Sequence, residues 1–287
     1  MLNASLLVAP VSILVIAFML SLILKDKLGK YVFSTFSAAA SLFMVYIGLD
    51  VLVSGSKLSY TVFSYNAGIL SLGLNKLELV VDPISAVFLV ALGILGLAVS
   101  IYSMSYLEYY LKHKYSLQFF GAAYTLFLAS MYMVLTSYNI LWFIVFWELM
   151  TVFSQLLVAY EFRREVARKA AYKYFFMAKA SSEFIILFAL ITLVYFTNFH
   201  TDFSSIRIAI ALAAQQNPLL IAGIFVVLLA GLSVKSAIYP VHSWLPDAHS
   251  EAPSNISALL SGIMVKMAIY MMVRSFVWFA PSLITLM

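Results

Sequence analysis

The sequence predicts an all-α membrane protein with about eight transmembrane helices. Of its 287 residues, 64% are hydrophobic and only 10% are charged, and the mean hydropathy is +1.02. The apolar residues fall into runs of about 20, the length with which an α-helix crosses roughly 30 Å of hydrocarbon. A soluble domain could not hide this much apolar surface, so we expect the chain to lie in a membrane.

Eight apolar runs follow one another along the chain. The predicted spans are residues 6–24, 31–53, 84–105, 117–137, 140–160, 172–196, 219–239 and 256–276. The first charges come after the first run, so this run is expected to be a retained helix and not a cleaved signal peptide.

Two connections between spans have patterns of their own. The segment SGSKLSYTVFSYNAGILSLGLNKLELVVDP, after the second span, is rich in Ser, Gly and Tyr and alternates in character. It predicts a small hairpin outside the membrane. The segment SSIRIAIALAAQQNP, between the sixth and seventh spans, is typical of a short amphipathic helix near the membrane interface.

The distribution of basic residues predicts the orientation of the chain. Basic side chains cluster after the odd-numbered spans, at Lys25, Lys27, Lys30, Lys112, Lys114, Arg163, Arg164, Arg168 and Lys169. The alternate loops hold only Lys57, Lys76 and Arg207. Because positive loops stay inside, both termini are expected outside the cell membrane. The excess of 17 Lys and Arg over 12 Asp and Glu therefore indicates orientation, and no nucleic-acid partner is expected.

Three charged residues lie inside membrane-length apolar runs. They are Glu148 in the fifth span, Lys235 in the seventh and Lys266 in the eighth. A charge at the bilayer centre costs roughly 2.5–3.5 kcal/mol, so such residues usually face a bundle interior or a wet path. A carboxylate that moves toward or away from a buried lysine would switch the lysine between holding and releasing a proton. The sequence therefore predicts ion or proton translocation, and a structural Glu148–Lys235 salt bridge is the alternative.

The seventh span is expected to be broken at membrane depth. Pro240 has no N–H and would leave the carbonyl of Ser236, next to Lys235, without its helical partner, and Pro246 follows closely. Interrupted helices of this kind build ion sites in transporters.

Other polar residues allow more than one interpretation. Lys266 could snorkel, Lys179 and Glu183 could be an intrahelical pair, and His242 and His249 could be interfacial hydrogen-bonding groups. Asp50 and Arg274 lie near span ends and are expected to be solvated anchors. No metal site is expected, because Pro246 interrupts the segment between the two histidines and no third ligand is evident.

Residues 235–274 carry a family resemblance, in the pieces KSA, HSWLPDAH, EAPSNISALLSG and MVKMAIY. In this order, together with NILWFIVFWELM and AAYKYF, they resemble the antiporter-like, proton-conducting subunits of three kinds of complex. These are respiratory complex I, multi-subunit sodium/proton antiporters and membrane-bound group 4 hydrogenases. The HSWLPDAH and EAPSNISALLSG motifs most resemble those of the large membrane subunit of hydrogenase and formate-hydrogenlyase-type complexes.

The resemblance implies an architecture and roles for individual residues. Residues 1–116 would be three leading helices with an outer hairpin, and residues 117–287 a five-helix proton-translocation repeat with a broken seventh helix. Glu148 would be the fifth-helix glutamate that pairs with Lys235, and Lys266 would pass protons along the central polar axis. That axis would also be lined by His242 and His249, with Lys179 and Glu183 near a further basic and acidic pair.

The resemblance also implies partners. Family members carry about fourteen helices in two inverted repeats, whereas this sequence ends after the eighth span. We therefore expect a truncated subunit whose Glu148, Lys179, Glu183, Lys235 and Lys266 lie on a surface that another polytopic chain covers, supplying the second half-channel, with lipid around the rest.

The expected function is that of a proton-translocating subunit of a redox-driven respiratory complex, with peripheral redox subunits. The alternatives are a non-pumping structural subunit or a subunit of a sodium/proton antiporter. The sequence has no cysteine, which excludes disulfides and iron–sulfur ligation. No cofactor is expected on this chain, so whether it counts as an enzyme depends on the complex, with electron transfer occurring elsewhere.

Overall fold

A computed structural model describes residues 3–65 and 74–284. Within these ranges, eight helices are long and apolar enough to cross a membrane, which confirms the predicted fold class. A 3₁₀ turn, Ala4–Val8, leads into the first helix. In chain order the α-helices are α1 (Ala9–Ile23), α2 (Asp26–Ser54), α3 (Pro83–Tyr106), α4 (Glu108–Lys112), α5 (Leu117–Thr136), α6 (Ile140–Val158), α7 (Glu165–Tyr195), α8 (Phe203–Gln216), α9 (Pro218–Lys235), α10 (Trp244–Glu251), α11 (Ser254–Leu259) and α12 (Val265–Ile284).

Side-chain caps explain where several helices begin. Asp82 accepts a hydrogen bond from the Ser85 amide at the start of α3, and Asn139 accepts one from the Leu141 amide at the start of α6. Asp202 caps α8 in the same way. Such residues satisfy amides that have no partner in the first turn of a helix. The sequence therefore carries local signals for these boundaries.

The predicted hairpin forms between α2 and α3. Strands β1 (Leu58–Ser64) and β2 (Lys76–Val81) pair antiparallel, and residues 66–73 between them lie outside the described residues. Isolated β-bridges pair Leu79 with Ser137 and Asn139 with Asp202. They link the hairpin, the loop between α5 and α6, and the segment that precedes α8. The predicted amphipathic segment is the helix α8.

An ion pair at the same end contradicts the expectation for Arg274. The guanidinium is buried, and its Nη2 lies 2.8 Å from Asp82 Oδ1. It also donates to Ser85 Oγ, and Nε donates to the Tyr270 hydroxyl at 2.9 Å. The prediction of a solvated anchor was wrong because α12 turns this residue toward the start of α3, where the capping carboxylate lies.

Helix α5 is buried along nearly its whole length. It packs against α1, α2, α3 and α6. The neighbouring pair α2 and α3 approaches closely at Gly93, where an added Cβ would lie 2.7 Å from the Ser41 carbonyl oxygen. These contacts place the three leading helices and the later helices in one continuous core.

The seventh span is broken, as predicted, but not at the expected residue. Helix α9 ends at Lys235, and α10 begins at Trp244 after a series of turns. Ala237 has a left-handed backbone (φ +54°). Its amide donates to Val234 O at 3.2 Å, and the next amide, of Ile238, donates to Ser233 O at 3.0 Å. This is the Schellman arrangement that ends a helix, so the helix stops before Pro240 could interrupt it.

The left-handed Ala237 leads to a prediction about stability. Ala237→Gly should raise the free energy of unfolding by about 1 kcal/mol, because a left-handed backbone costs an L-residue roughly 1–2 kcal/mol and glycine much less. The same change at Ala230, within α9, should lower it by about 1 kcal/mol. The midpoint of thermal unfolding in detergent checks both. An equal loss in the two variants would show that Ala237 carries no strain.

Candidate functional site

Lys235 lies at the last residue of α9, where the seventh span breaks. Its side chain is fully buried, with 0% exposure. The Nζ donates to Thr151 Oγ1 of α6 at 2.8 Å and to the Tyr174 hydroxyl of α7 at 3.0 Å. It also lies 5.0 Å from the centre of the Tyr174 ring and 5.9 Å from that of Trp147. The amine is therefore held by two neutral hydroxyls and by aromatic faces at the centre of three helices.

The Tyr174 hydroxyl continues the hydrogen-bond network beyond the lysine. It lies 2.6 Å from Ser154 Oγ of α6 and 3.3 Å from the Met264 sulfur. Met264 ends the π-helical turn Leu260–Met264, which joins α11 to α12. This tyrosine thus connects the broken seventh span with the fifth and eighth spans.

Glu148 is bonded to Lys179 and not to Lys235. Its Oε2 accepts from Lys179 Nζ at 2.9 Å, and Lys179 Nζ lies 3.9 Å from Glu183 Oε1. The other carboxylate oxygen, Oε1, is buried and has no hydrogen-bond partner among the described residues. The expected Glu148–Lys235 contact is therefore replaced by a bond from α6 to α7, and Lys179 also reaches its intrahelical neighbour.

Burial divides the five residues that were expected on one exposed surface. Glu148, Lys179 and Glu183 keep 25%, 36% and 67% of their side chains exposed, and Lys266 is half-buried. For Lys235 the expectation was wrong, because α6 and α7 of this chain cover it completely.

His249 and Lys266 lie near the π-helical turn, whereas His242 does not. His249 Nδ1 lies 2.8 Å from Ser257 Oγ, and its Nε2 is buried without a partner among the described residues. Lys266 Nζ donates to the Ser261 carbonyl. Single π turns are frequent at functional sites. His242 is exposed and contacts the Tyr239 ring.

The residues that hold Lys235 were missed from the sequence. Thr151 and Ser154 follow Glu148 at intervals of three residues, so all three lie near one face of α6. This spacing was an available signal, as was Tyr174 in the AAYKYF run. Hydroxyl residues are common in membrane helices, however, and the spacing alone does not say which helix α6 faces.

Comparison with known proteins now connects this geometry with a family. Residues 137–287 match the family model described as NADH:quinone oxidoreductase/Mrp antiporter, transmembrane. The match covers slightly more than half of the chain and includes all the candidate site residues. The chain belongs to this antiporter-like membrane family. It is therefore a multi-pass membrane protein, as its helices also indicate.

Curated relatives of this antiporter-family chain are much longer than the chain itself. Hydrogenase-4 component B of Escherichia coli (strain K12) is 35% identical over 195 residues, which is 68% of this chain and 27% of the relative. NAD(P)H-quinone oxidoreductase subunit 5 of the Chara vulgaris chloroplast is 34% identical over 204 residues, which is 70% of this chain and 30% of the relative. The chain thus spans less than a third of the length of either relative.

Solved structures show the same fold. The chain is similar to one in the membrane-bound sulfane sulfur reductase, an archaeal respiratory membrane complex, with a TM-score of 0.78 and 19% identity over 95% of this chain and 53% of that one. It is also similar to one in the Mrp complex from Dietzia sp. DQ12-45-1b, with a TM-score of 0.74 and 23% identity over 95% of this chain and 28% of that one. The antiporter-like fold therefore covers nearly all of this chain.

Proposed function

We propose that this chain carries protons across the cell membrane as a subunit of a redox-driven respiratory complex, with Lys235 as the buried carrier. The observation that supports this is the setting of Lys235, a fully buried amine at a helix break that is bonded by Thr151 and Tyr174. A buried lysine in a membrane bundle is by default a functional group.

The two hydroxyls suit a group that gains and loses a proton. A hydroxyl can accept a hydrogen bond from an ammonium and can donate one to a neutral amine. Thr151 and Tyr174 can therefore bond Lys235 in both protonation states, after rotation of a hydroxyl hydrogen alone. A direct carboxylate partner would instead favour the charged state, which is the behaviour expected of a structural salt bridge.

The remaining residues provide neighbours for a proton path. On one side, Glu148 lies partly exposed one turn before Thr151 on α6, and Lys179 of α7 is bonded to it. On the other side, Tyr174 leads to Met264 and the turn near His249 and Lys266. We propose that Lys235 exchanges protons with these groups through hydroxyls and water, in the order Glu148, Lys235, Lys266.

Assembly and orientation belong to the same proposal. The relatives named above are components of hydrogenase and quinone oxidoreductase, so we propose other polytopic membrane subunits as partners, along the exposed face of Glu148, Lys179 and Glu183, with both termini outside. A sodium/proton antiporter subunit is the second candidate, favoured by the fold shared with a chain of the Mrp complex. Proton and sodium fluxes measured separately in vesicles distinguish the two.

The Tyr174 hydroxyl gives the direct test of this function. Tyr174→Phe keeps the ring and removes the hydroxyl, and it should lower proton transport by about tenfold or more, since a positioned proton-transfer group typically contributes 10²–10⁴-fold. Transport is measured by dye quenching in vesicles that contain the membrane complex. The matched control is Tyr132→Phe, since Tyr132 is equally buried but bonds the Leu7 carbonyl away from the site. Equal transport in the two variants would refute the role of this network.

A further inference from the structure

Two buried hydroxyls on α2, far from Lys235, have no hydrogen-bond partner among the described residues. They are Ser34 Oγ and Ser37 Oγ, both on fully buried side chains. A helical serine can usually bond the carbonyl four residues earlier. The neighbouring buried serines Ser41, Ser100 and Ser103 all do so, at 2.6–2.8 Å. Ser34 and Ser37 do not, which leaves their hydroxyls free for another partner.

Lys30 lies on the same face of α2. Residues 30, 34, 37 and 41 are spaced by four, three and four positions, so they form one stripe along the helix. The Lys30 side chain is only 1% exposed. Its Nζ lies 3.9 Å from Glu108 Oε2 and 4.7 Å from the centre of the Tyr31 ring. No described residue is within hydrogen-bond distance of this ammonium, although it can donate three hydrogen bonds.

The opposite helix presents polar groups at matching heights. At one end an added Cβ on Gly96 of α3 would lie 2.6 Å from Ser41 Oγ, and at the other end Lys30 faces Glu108, the first residue of α4, just beyond the end of α3. Because α2 and α3 run antiparallel between these two contacts, Ser37 lies level with Ser100 and Ser34 with Ser103. The stripe from residue 30 to residue 41 is about 16 Å long, which is half the thickness of the hydrocarbon layer.

The polar stripe also reaches two other helices. Ser100 Oγ lies 2.8 Å from the Tyr124 hydroxyl of α5. Ser103 Oγ accepts from Asn255 Nδ2 of α11 at 2.7 Å. Two residues after Asn255, Ser257 contacts His249. Polar groups therefore recur at intervals between Lys30 and the neighbourhood of the candidate site.

We propose that ordered water bonds the Ser34 and Ser37 hydroxyls between α2 and α3, and that this hydrated path carries protons from Lys30 to the Asn255 end of the eighth span. Buried polar groups in proteins are almost always bonded, and buried water is the usual partner where protein atoms are not. Lys30, Ser34 and Ser37 provide the two to four polar partners that such waters need. The presence of water stands apart from the role of Lys235, whereas its use by protons rests on the proposed function.

The absence of cysteine from the chain allows a clean test of hydration. Ser34→Cys and Ser37→Cys are exposed to brief X-ray irradiation in native membranes, where radicals generated from bound water oxidise the adjacent thiol, and the chain is analysed by mass spectrometry. The matched control is Ser21→Cys, since Ser21 is equally buried but bonded to the Ala17 and Phe18 carbonyls. We expect oxidation at positions 34 and 37 to be at least several-fold faster than at position 21. Equal rates would overturn the proposal.

Two further measurements test the hydration of the serines and the use of this water by protons. If the hydroxyls were dry, Ser34→Ala and Ser37→Ala would raise the midpoint of thermal unfolding, since each removes an unbonded polar atom; with water present we expect no change or a decrease. Ser37→Val, which replaces the hydroxyl by methyl groups, should slow proton transport several-fold in the assembled complex. Wild-type transport in Ser37→Val would overturn proton use of the path. Loss of Lys235 function would not affect the oxidation result, so the two proposals fail separately.

Discussion

Lys235→Met is expected to reduce proton transport about 10²-fold or more while leaving assembly intact. Methionine has nearly the same length and no charge, and because Lys235 is bonded to neutral hydroxyls, its removal leaves no directly bonded carboxylate without a partner. Thr151 keeps its bond to the Trp147 carbonyl, and Tyr174 keeps Ser154, so no hydroxyl is left without a partner. The measurements are dye quenching in vesicles and the yield of assembled complex.

Two other variants sharpen this result. Lys169→Met is the control, because Lys169 is 76% exposed and, among the described residues, forms an ion pair with Glu165 alone, on its own helix; its transport should equal that of the wild type. Lys235→Arg keeps the charge but cannot release a proton at working pH, so it should also fail to transport. Full transport in Lys235→Met, or losses of transport that only follow losses of assembly, would instead make Lys235 a structural residue.

Asp82→Asn should lower the free energy of unfolding by about 3 kcal/mol, the largest stability effect that we expect. Asparagine caps a helix as well as aspartate does, so the change keeps the start of α3 and removes the charge that faces Arg274. Breaking a buried ion pair from one side costs 3–5 kcal/mol, and the lower value applies here because the Asp82 side chain is 21% exposed. Thermal unfolding in detergent measures the loss.

The double variant and a second asparagine separate the ion pair from other effects. Asp82→Asn combined with Arg274→Met should recover most of the loss, because the unpaired guanidinium is then absent. Asp202→Asn makes the same change at the cap of α8, where no ion pair is present among the described residues, and should cost less than about 1 kcal/mol. A similar loss at both positions would show that capping and not charge explains the effect.

The same ion pair gives stability a dependence on pH. Burial would raise the pKa of Asp82, but the charge of Arg274 and hydrogen bonds from Arg274 and Ser85 lower it below the ordinary 3.8. A carboxyl whose pKa is lowered by folding stabilises the fold above its unfolded value, and this stabilisation is lost as the pH falls through the folded value. The wild type should therefore lose this contribution below about pH 3.8, and Asp82→Asn should lack this part of the acid sensitivity.

The sequence alone determined the features that depend on local patterns. Apolar runs predict eight membrane-length helices, because the cost of placing a residue in hydrocarbon depends mainly on its own side chain. The hairpin and the helix α8 followed from local alternation and amphipathicity. The HSWLPDAH and EAPSNISALLSG motifs were sufficient to identify the family, and the prolines after Lys235 indicated a broken helix. The boundary itself was missed because it depends on Ala237, where the usual sign of a left-handed helix end is a glycine.

Only the tertiary structure decided which charged and polar groups meet. The sequence predicted Lys235 as the partner of Glu148, whereas the packing of α6 against α7 brings Lys179 to this carboxylate. Lys235 turns instead toward Thr151 and Tyr174, and Arg274 toward a cap 192 residues earlier in the chain. Such choices depend on the rotation of each helix about its axis and on the distance between neighbouring helices. Contacts between distant parts of the chain set both quantities, and hydropathy and spacing along one helix do not contain them.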